Sequence, residues 1–121
     1  MSLMNAITET GNGTPQDSEF PHAPPDWTPA AALETARVEG LTPGPDHWEA
    51  LRALQEYFAR NEGIAVNMRE LHDALEEKFH HKGGIKALYL LFPGGPVAQG
   101  CRMAGLKVPP GAIDRGFGSV G

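Results

Sequence analysis

The sequence predicts an all-α fold, a single small helical domain, and three observations carry that prediction. Fifteen Gly and eleven Pro among 121 residues cluster toward the two ends, which leaves the middle of the chain to regular structure. In that middle, apolar residues recur at helical rather than alternating spacing, as in Trp48, Leu51, Leu54, Tyr57 and Phe58, and again in Met68, Leu71, Leu75 and Phe79. Most of these segments open on a helix-start residue and close on a helix-stop residue. No internal repeat and no hairpin signal competes with this reading.

Residues 1–25 hold many breakers and few apolar side chains, too little buried surface to offset the entropy of ordering, so they are expected to be disordered or loosely ordered. The helical domain is expected over residues 26–105. Thr28 can cap the first helix through its side-chain oxygen, Pro29 suits the first helical position where no amide bond is needed, and Gly40 ends the element. The turn Thr42-Pro43-Gly44-Pro45 and the acidic Asp46 lead into the second helix, whose broad apolar stripe makes it the expected central one. Asn61, Glu62 and Gly63 stop it, and Asn67 caps the third, which turns Glu70, Asp73, Glu76, Glu77 and Lys78 mostly outward.

His80-His81-Lys82-Gly83-Gly84 forms the basic, glycine-terminated end of that helix. Residues 85–92 are apolar nearly all round, with only Lys86 charged, and read as a short helix buried between neighbours. Pro93-Gly94-Gly95-Pro96 breaks the chain, and residues 97–104 supply one or two further turns ending at Gly105. Residues 106–121 are expected to be an arm, extended through Val108-Pro109-Pro110-Gly111, and then a flexible tail.

The formal net charge of −5 works against non-specific attraction to nucleic-acid phosphates or anionic lipid, so any such partner would need a local basic patch. No stretch approaches the ~20 consecutive apolar residues of a membrane span, and the N-terminus has no basic and apolar leader pattern. One cysteine allows no disulfide within the chain. These features lead us to expect a cytoplasmic protein.

Cys101 is the one plausible nucleophile. With Arg102 adjacent and Lys107 nearby, its thiolate would be favoured; as a small buried residue beside Leu91 and Phe92 it would be inert, which is the commoner fate of a free cysteine. His72, Glu76 and His80 stand at i, i+4 and i+8, yet three ligands on one helix drift round its surface, so no metal is assigned. The third and fourth helices with their glycine turn have the outline of a helix-turn-helix, but a base-reading helix needs Arg, Lys, Asn or Gln, and residues 85–92 offer only Lys86. No phosphate loop, nucleophile elbow or paired-cysteine motif is present, and no cofactor is expected.

The order Lys82-Gly83, Lys86, Leu88-Tyr89, Leu91-Phe92-Pro93, Gly95-Pro96, Gln99, Cys101-Arg102, Ala104-Gly105-Leu106, Pro109 and Gly111, with Asp26-Trp27, His47-Trp48 and Arg69 upstream, resembles the DsrC/TusE sulfur-relay family. That family includes the gamma component associated with dissimilatory sulfite reductase. The resemblance implies a small orthogonal helical bundle with a helix-turn-helix-like element and an extended C-terminal arm. Family members often begin with a β-hairpin, which residues 5–25 lack the alternation to form.

Family carriers hold a penultimate cysteine just after the Pro-x-Gly segment, where persulfide sulfur is accepted and passed on; this sequence has Ala112 there, then Ile113 and a tail. Cys101 matches a second, upstream cysteine of the sulfite-reductase-associated branch and stands as the candidate sulfur or redox site. Arg69, Lys82, Lys86 and Arg102 map onto the basic surround through which the arm meets partners, with Ala98 where relatives often have lysine. The resemblance thus implies a persulfide-pathway protein that binds sulfur-transfer or sulfite-reductase-type partners as accessory or regulator, more a carrier scaffold than an autonomous enzyme. A helix-turn-helix nucleic-acid regulator and a true sulfurtransferase are the alternatives.

Overall fold

The computed structural model describes residues 15–62 and 65–112, and these form five α-helices with no strand: α1 (Pro29–Glu39), α2 (Pro45–Arg60), α3 (Met68–Lys78), α4 (Gly84–Leu91) and α5 (Pro96–Ala104). Short 3-10 turns occupy Asp17–Glu19 and His80–Lys82. The all-α expectation therefore holds. The expectations placed on residues 1–14, on Gly63 and Ile64, and on the tail from Ile113 onward lie outside the described residues, and of the start expected to lack a hairpin, residues 15–25 are described and hold no strand.

The expected start and stop chemistry is largely in place. Thr28 Oγ1 accepts from the Ala31 amide at 3.3 Å, Pro29 is the first helical residue, and Gly40 leaves α1 in the left-handed conformation at φ 77°. Asn67 Oδ1 accepts from the Glu70 amide at 3.0 Å to start α3. At the start of α2, Gly44 is the capping residue and its N–H donates to His47 Nδ1 at 3.0 Å, while Asp46 supplies negative charge to the first turn.

The central helix is α5 rather than α2. Eight of its nine residues are buried, and it packs against both α1 and α2. Its composition explains why periodicity missed it: Ala98, Gly100, Cys101 and Ala104 are small, so the neighbours approach closely and no wide apolar stripe is needed. A Cβ on Gly100 would lie 2.6 Å from Leu54 Cδ1, which marks the α2–α5 crossing.

Packing also begins earlier than residue 26. Phe20 is 4% exposed and meets Trp27 and Trp48 edge-on at 5.0 and 6.0 Å between ring centres, with the Arg52 guanidinium 5.2 Å above it. One aromatic anchor ties down a segment whose overall composition is that of coil. In α4 the correction runs the other way: Leu88 is buried, but Leu90 is 81% exposed and Lys86 is exposed one turn before it. The apolar run therefore contains one inward face, not an all-round buried surface.

Candidate functional site at the base and tip of the arm

Gly105, at φ 77°, turns the chain out of α5 into the arm, and a Cβ there would lie 2.7 Å from Trp27 Cδ1. Trp27 is held in that position because its Nε1 donates to Met103 O at 2.7 Å. The arm does not stand free. Leu106, Val108 and Ala112 pack against the core, Pro109 is buried, and the Ala112 N–H donates to Pro109 O at 3.0 Å, closing a turn through Pro110 and Gly111. A Cβ on Gly111 would lie 3.0 Å from Met68 Cγ, so the arm tip sits beside the first turn of α3.

Cys101, at the base of the arm, is 0% exposed within the core cluster. Burial pushes its thiol up to about 12, against the smaller opposing pull of Arg102. Of the two fates open to Cys101 the buried one is observed, because successive helical residues project about 100° apart and Arg102 is aimed at Glu39. The thiol is neutral and shielded in this fold.

Arg102 reaches α1. Its Nε donates to Glu39 Oε2 at 2.7 Å and its second guanidinium nitrogen to Glu39 Oε1 at 2.9 Å, while Gln99 Nε2 also donates to Oε1 at 2.8 Å. Gln99 Oε1 in turn accepts from the Gly94 amide at 2.8 Å. One carboxylate thus ties α1 to α5 and to the Pro93–Pro96 break. Nothing in the local sequence distinguishes Glu39 from Glu34, so this partner could not be read in advance.

Lys82 donates from Nζ to Asp46 Oδ1 at 2.6 Å and to Glu49 Oε1 at 3.4 Å, and the hydrogen bond to Asp46 holds its ammonium above its ordinary pKa. Of the four cations expected to meet partners, Arg102 and Lys82 are therefore engaged within the chain, whereas Arg69 on α3 and Lys86 on α4 are exposed.

His47 entered the resemblance, but its structural role was missed by sequence reasoning. Its Nδ1 accepts from Gly44, so its Nε2 carries the hydrogen and donates to Leu91 O at 3.0 Å, joining the start of α2 to the end of α4. Its ring also meets Phe92 edge-on at 5.2 Å. Gln55 is a second surprise: a polar residue within the apolar stripe, it donates to Ala104 O at 3.0 Å.

Glu76, one of the three residues at metal-like spacing, instead accepts from the Ile85 amide at 2.7 Å and so satisfies a first-turn N–H of α4. No group of three His, Cys, Asp or Glu among the described residues is placed to hold a metal ion. No helix among them is long and apolar enough to cross a membrane. α3 and α4 follow one another through the 3-10 turn His80–Lys82, and Lys86 is the one charged or amide side chain on the second helix.

The family model described as "DsrC like protein" matches residues 12–113, most of the chain. Over 85 residues the chain is 36% identical to a protein named sulfurtransferase TusE from Escherichia coli (strain K12), spanning 69% of this chain and 76% of that one. The protein of the same name from Photorhabdus laumondii subsp. laumondii is 38% identical over 86 residues, with the same shares covered. The corresponding Shigella dysenteriae protein is 36% identical over 85 residues. No solved structure matches. A family model over most of the chain and relatives of 36 to 38% identity show that the chain belongs to the DsrC/TusE sulfur-relay family.

Proposed function

We propose that this protein acts in sulfur relay by binding sulfur-transfer or sulfite-reductase-type partners as an accessory or regulator, and that it does so without carrying sulfur on its arm. The observation that carries the proposal is the pairing of two positions. Ala112 stands at the docked arm tip where family carriers have their cysteine, and the thiol that remains, Cys101, is buried and neutral. A sulfur carrier needs an accessible thiolate, since the thiolate is the nucleophile in exchange at sulfur. A scaffold that keeps the arm and lacks the thiol occupies the partner's site without completing transfer.

The relatives are named sulfurtransferases, and transfer by this chain would have to run through Cys101, its single cysteine. Exposure of the native protein to a small persulfide donor followed by intact-mass measurement separates the two. The expected result is no added sulfur. A native-state adduct of one sulfur atom, lost in Cys101→Ser, would overturn the accessory reading in favour of a carrier.

A further inference from the structure

We propose that the outer face of α4, centred on Leu90 and Lys86, is a docking surface for an acidic partner protein that receives Leu90 in an apolar recess. This deepens the function proposed above by naming the chemistry of the partner. Two independent observations carry it.

The first is Leu90 itself. At 81% exposure it is the most exposed large apolar side chain among the described residues, and it sits on a helix whose other leucines, Leu88 and Leu91, pack inward. Lys86 lies four residues before it and therefore on the same face.

The second is the distribution of charge. All fifteen Asp and Glu lie outside residues 78–113, whereas that stretch holds Lys78, Lys82, Lys86, Arg102 and Lys107, half of the Lys and Arg in the chain. The protein is acidic overall, but α4, α5 and the arm are built from a segment with no carboxylate side chain. Lys82 and Arg102 are answered by Asp46, Glu49 and Glu39 from the acidic part, and Lys86 and Lys107 remain exposed. A helix face with a protruding leucine, the exposed Lys86 ammonium one turn away and no carboxylate of its own on the helix is complementary to an apolar recess with a carboxylate rim.

The test is a titration of the full chain against the sulfur-relay or sulfite-reductase-type complex encoded by the same genome, at two salt concentrations. Leu90→Ser, Lys86→Glu and, as a control on another face, Val38→Ser are compared with the wild type. Both target side chains are exposed, so folding is preserved, and circular dichroism checks this. Loss of about tenfold in affinity is expected for Leu90→Ser, the scale of burying one leucine side chain. Lys86→Glu should weaken binding and flatten its salt dependence, and Val38→Ser should change neither. Wild-type binding that both α4 variants retain within about twofold overturns the inference and leaves the proposed function standing. Failure of the wild type to bind sinks both. Self-association of the wild type that Leu90→Ser abolishes would assign the face to a second copy of this chain and overturn the acidic partner.

Discussion

Arg102 of α5 and Glu39 of α1, 63 residues apart, meet in a two-pronged ion pair with nitrogen–oxygen distances of 2.7 and 2.9 Å. The Glu39 side chain is 6% exposed, so its charge has been taken out of water and is compensated by Arg102 and Gln99. Replacing Arg102 by Ala should destabilise the fold by about 3 kcal/mol, because it removes the two-pronged cation from a carboxylate that is out of water. The double variant with Glu39→Ala should lose less than the sum of the single variants. Urea unfolding of the four proteins measures the coupling, and strict additivity would show that the pair contributes nothing.

The buried thiol predicts an alkaline weakness. The Cys101 pKa rises from an ordinary 9.0 to about 12, so in that window the unfolded chain has released the proton and the folded chain keeps it. The unfolded state then binds fewer protons, and stability falls as pH rises from 9 toward 12, by at most about 1.4 kcal/mol per unit. Below pH 9 both states hold the proton and this slope vanishes. Unfolding midpoints of wild type and Cys101→Ala should diverge in their pH dependence only above pH 9. Parallel curves throughout would contradict the burial of the thiol.

Gly105 should tolerate no side chain. At φ 77° an alanine is strained by about 1 to 2 kcal/mol, and its Cβ would also meet Trp27 at 2.7 Å. Displacing Trp27 breaks its hydrogen bond to Met103 O, so Gly105→Ala should lower the melting temperature and alter the tryptophan fluorescence maximum together. Gly40, whose Cβ position is open, provides the control: Gly40→Ala carries the backbone strain without the collision.

Much of this fold could be read from local signals, and the exceptions share a physical cause. Thr28, Pro29, Gly40, Asn67 and Gly105 act through their own backbone neighbourhoods, so their roles are written in a few adjacent residues. Glu39, His47 and Gln55 act on partners 44 to 63 residues away, at Arg102, Leu91 and Ala104, and only the folded chain brings these together. The same limit governed the candidate site. The resemblance located the arm and the Ala112 substitution, whereas the burial of Cys101 and the engagement of Lys82 and Arg102 depend on where α5 and α2 sit.

His47 supplies a test of one such long-range tie. Replacing it by Ala removes the acceptor for the Gly44 amide and the donor to Leu91 O, at a cost of about 1 to 3 kcal/mol. Because the second bond closes the end of α4, amide exchange in α4 should speed up more than in α1. Equal acceleration in both helices would mean that His47 contributes to global stability alone.

Restoring a thiol at the arm tip should restore carrier chemistry. Ala112 is half-buried, not sealed, and lies on a turn beside Met68, so Ala112→Cys would present a thiol with access to solvent and none of the deep desolvation that silences Cys101. With a persulfide donor, the terminal sulfur passes to the thiolate introduced at the arm tip and the donor leaves as its own thiolate, which adds one sulfur atom to the protein. Intact mass should show that addition in Ala112→Cys and in Ala112→Cys with Cys101→Ser, and not in the wild type. If the variant takes no sulfur while its urea-unfolded form reacts with an alkylating reagent, the docked arm shields its tip as fully as the core shields Cys101. The missing cysteine would then not be what separates this protein from a carrier.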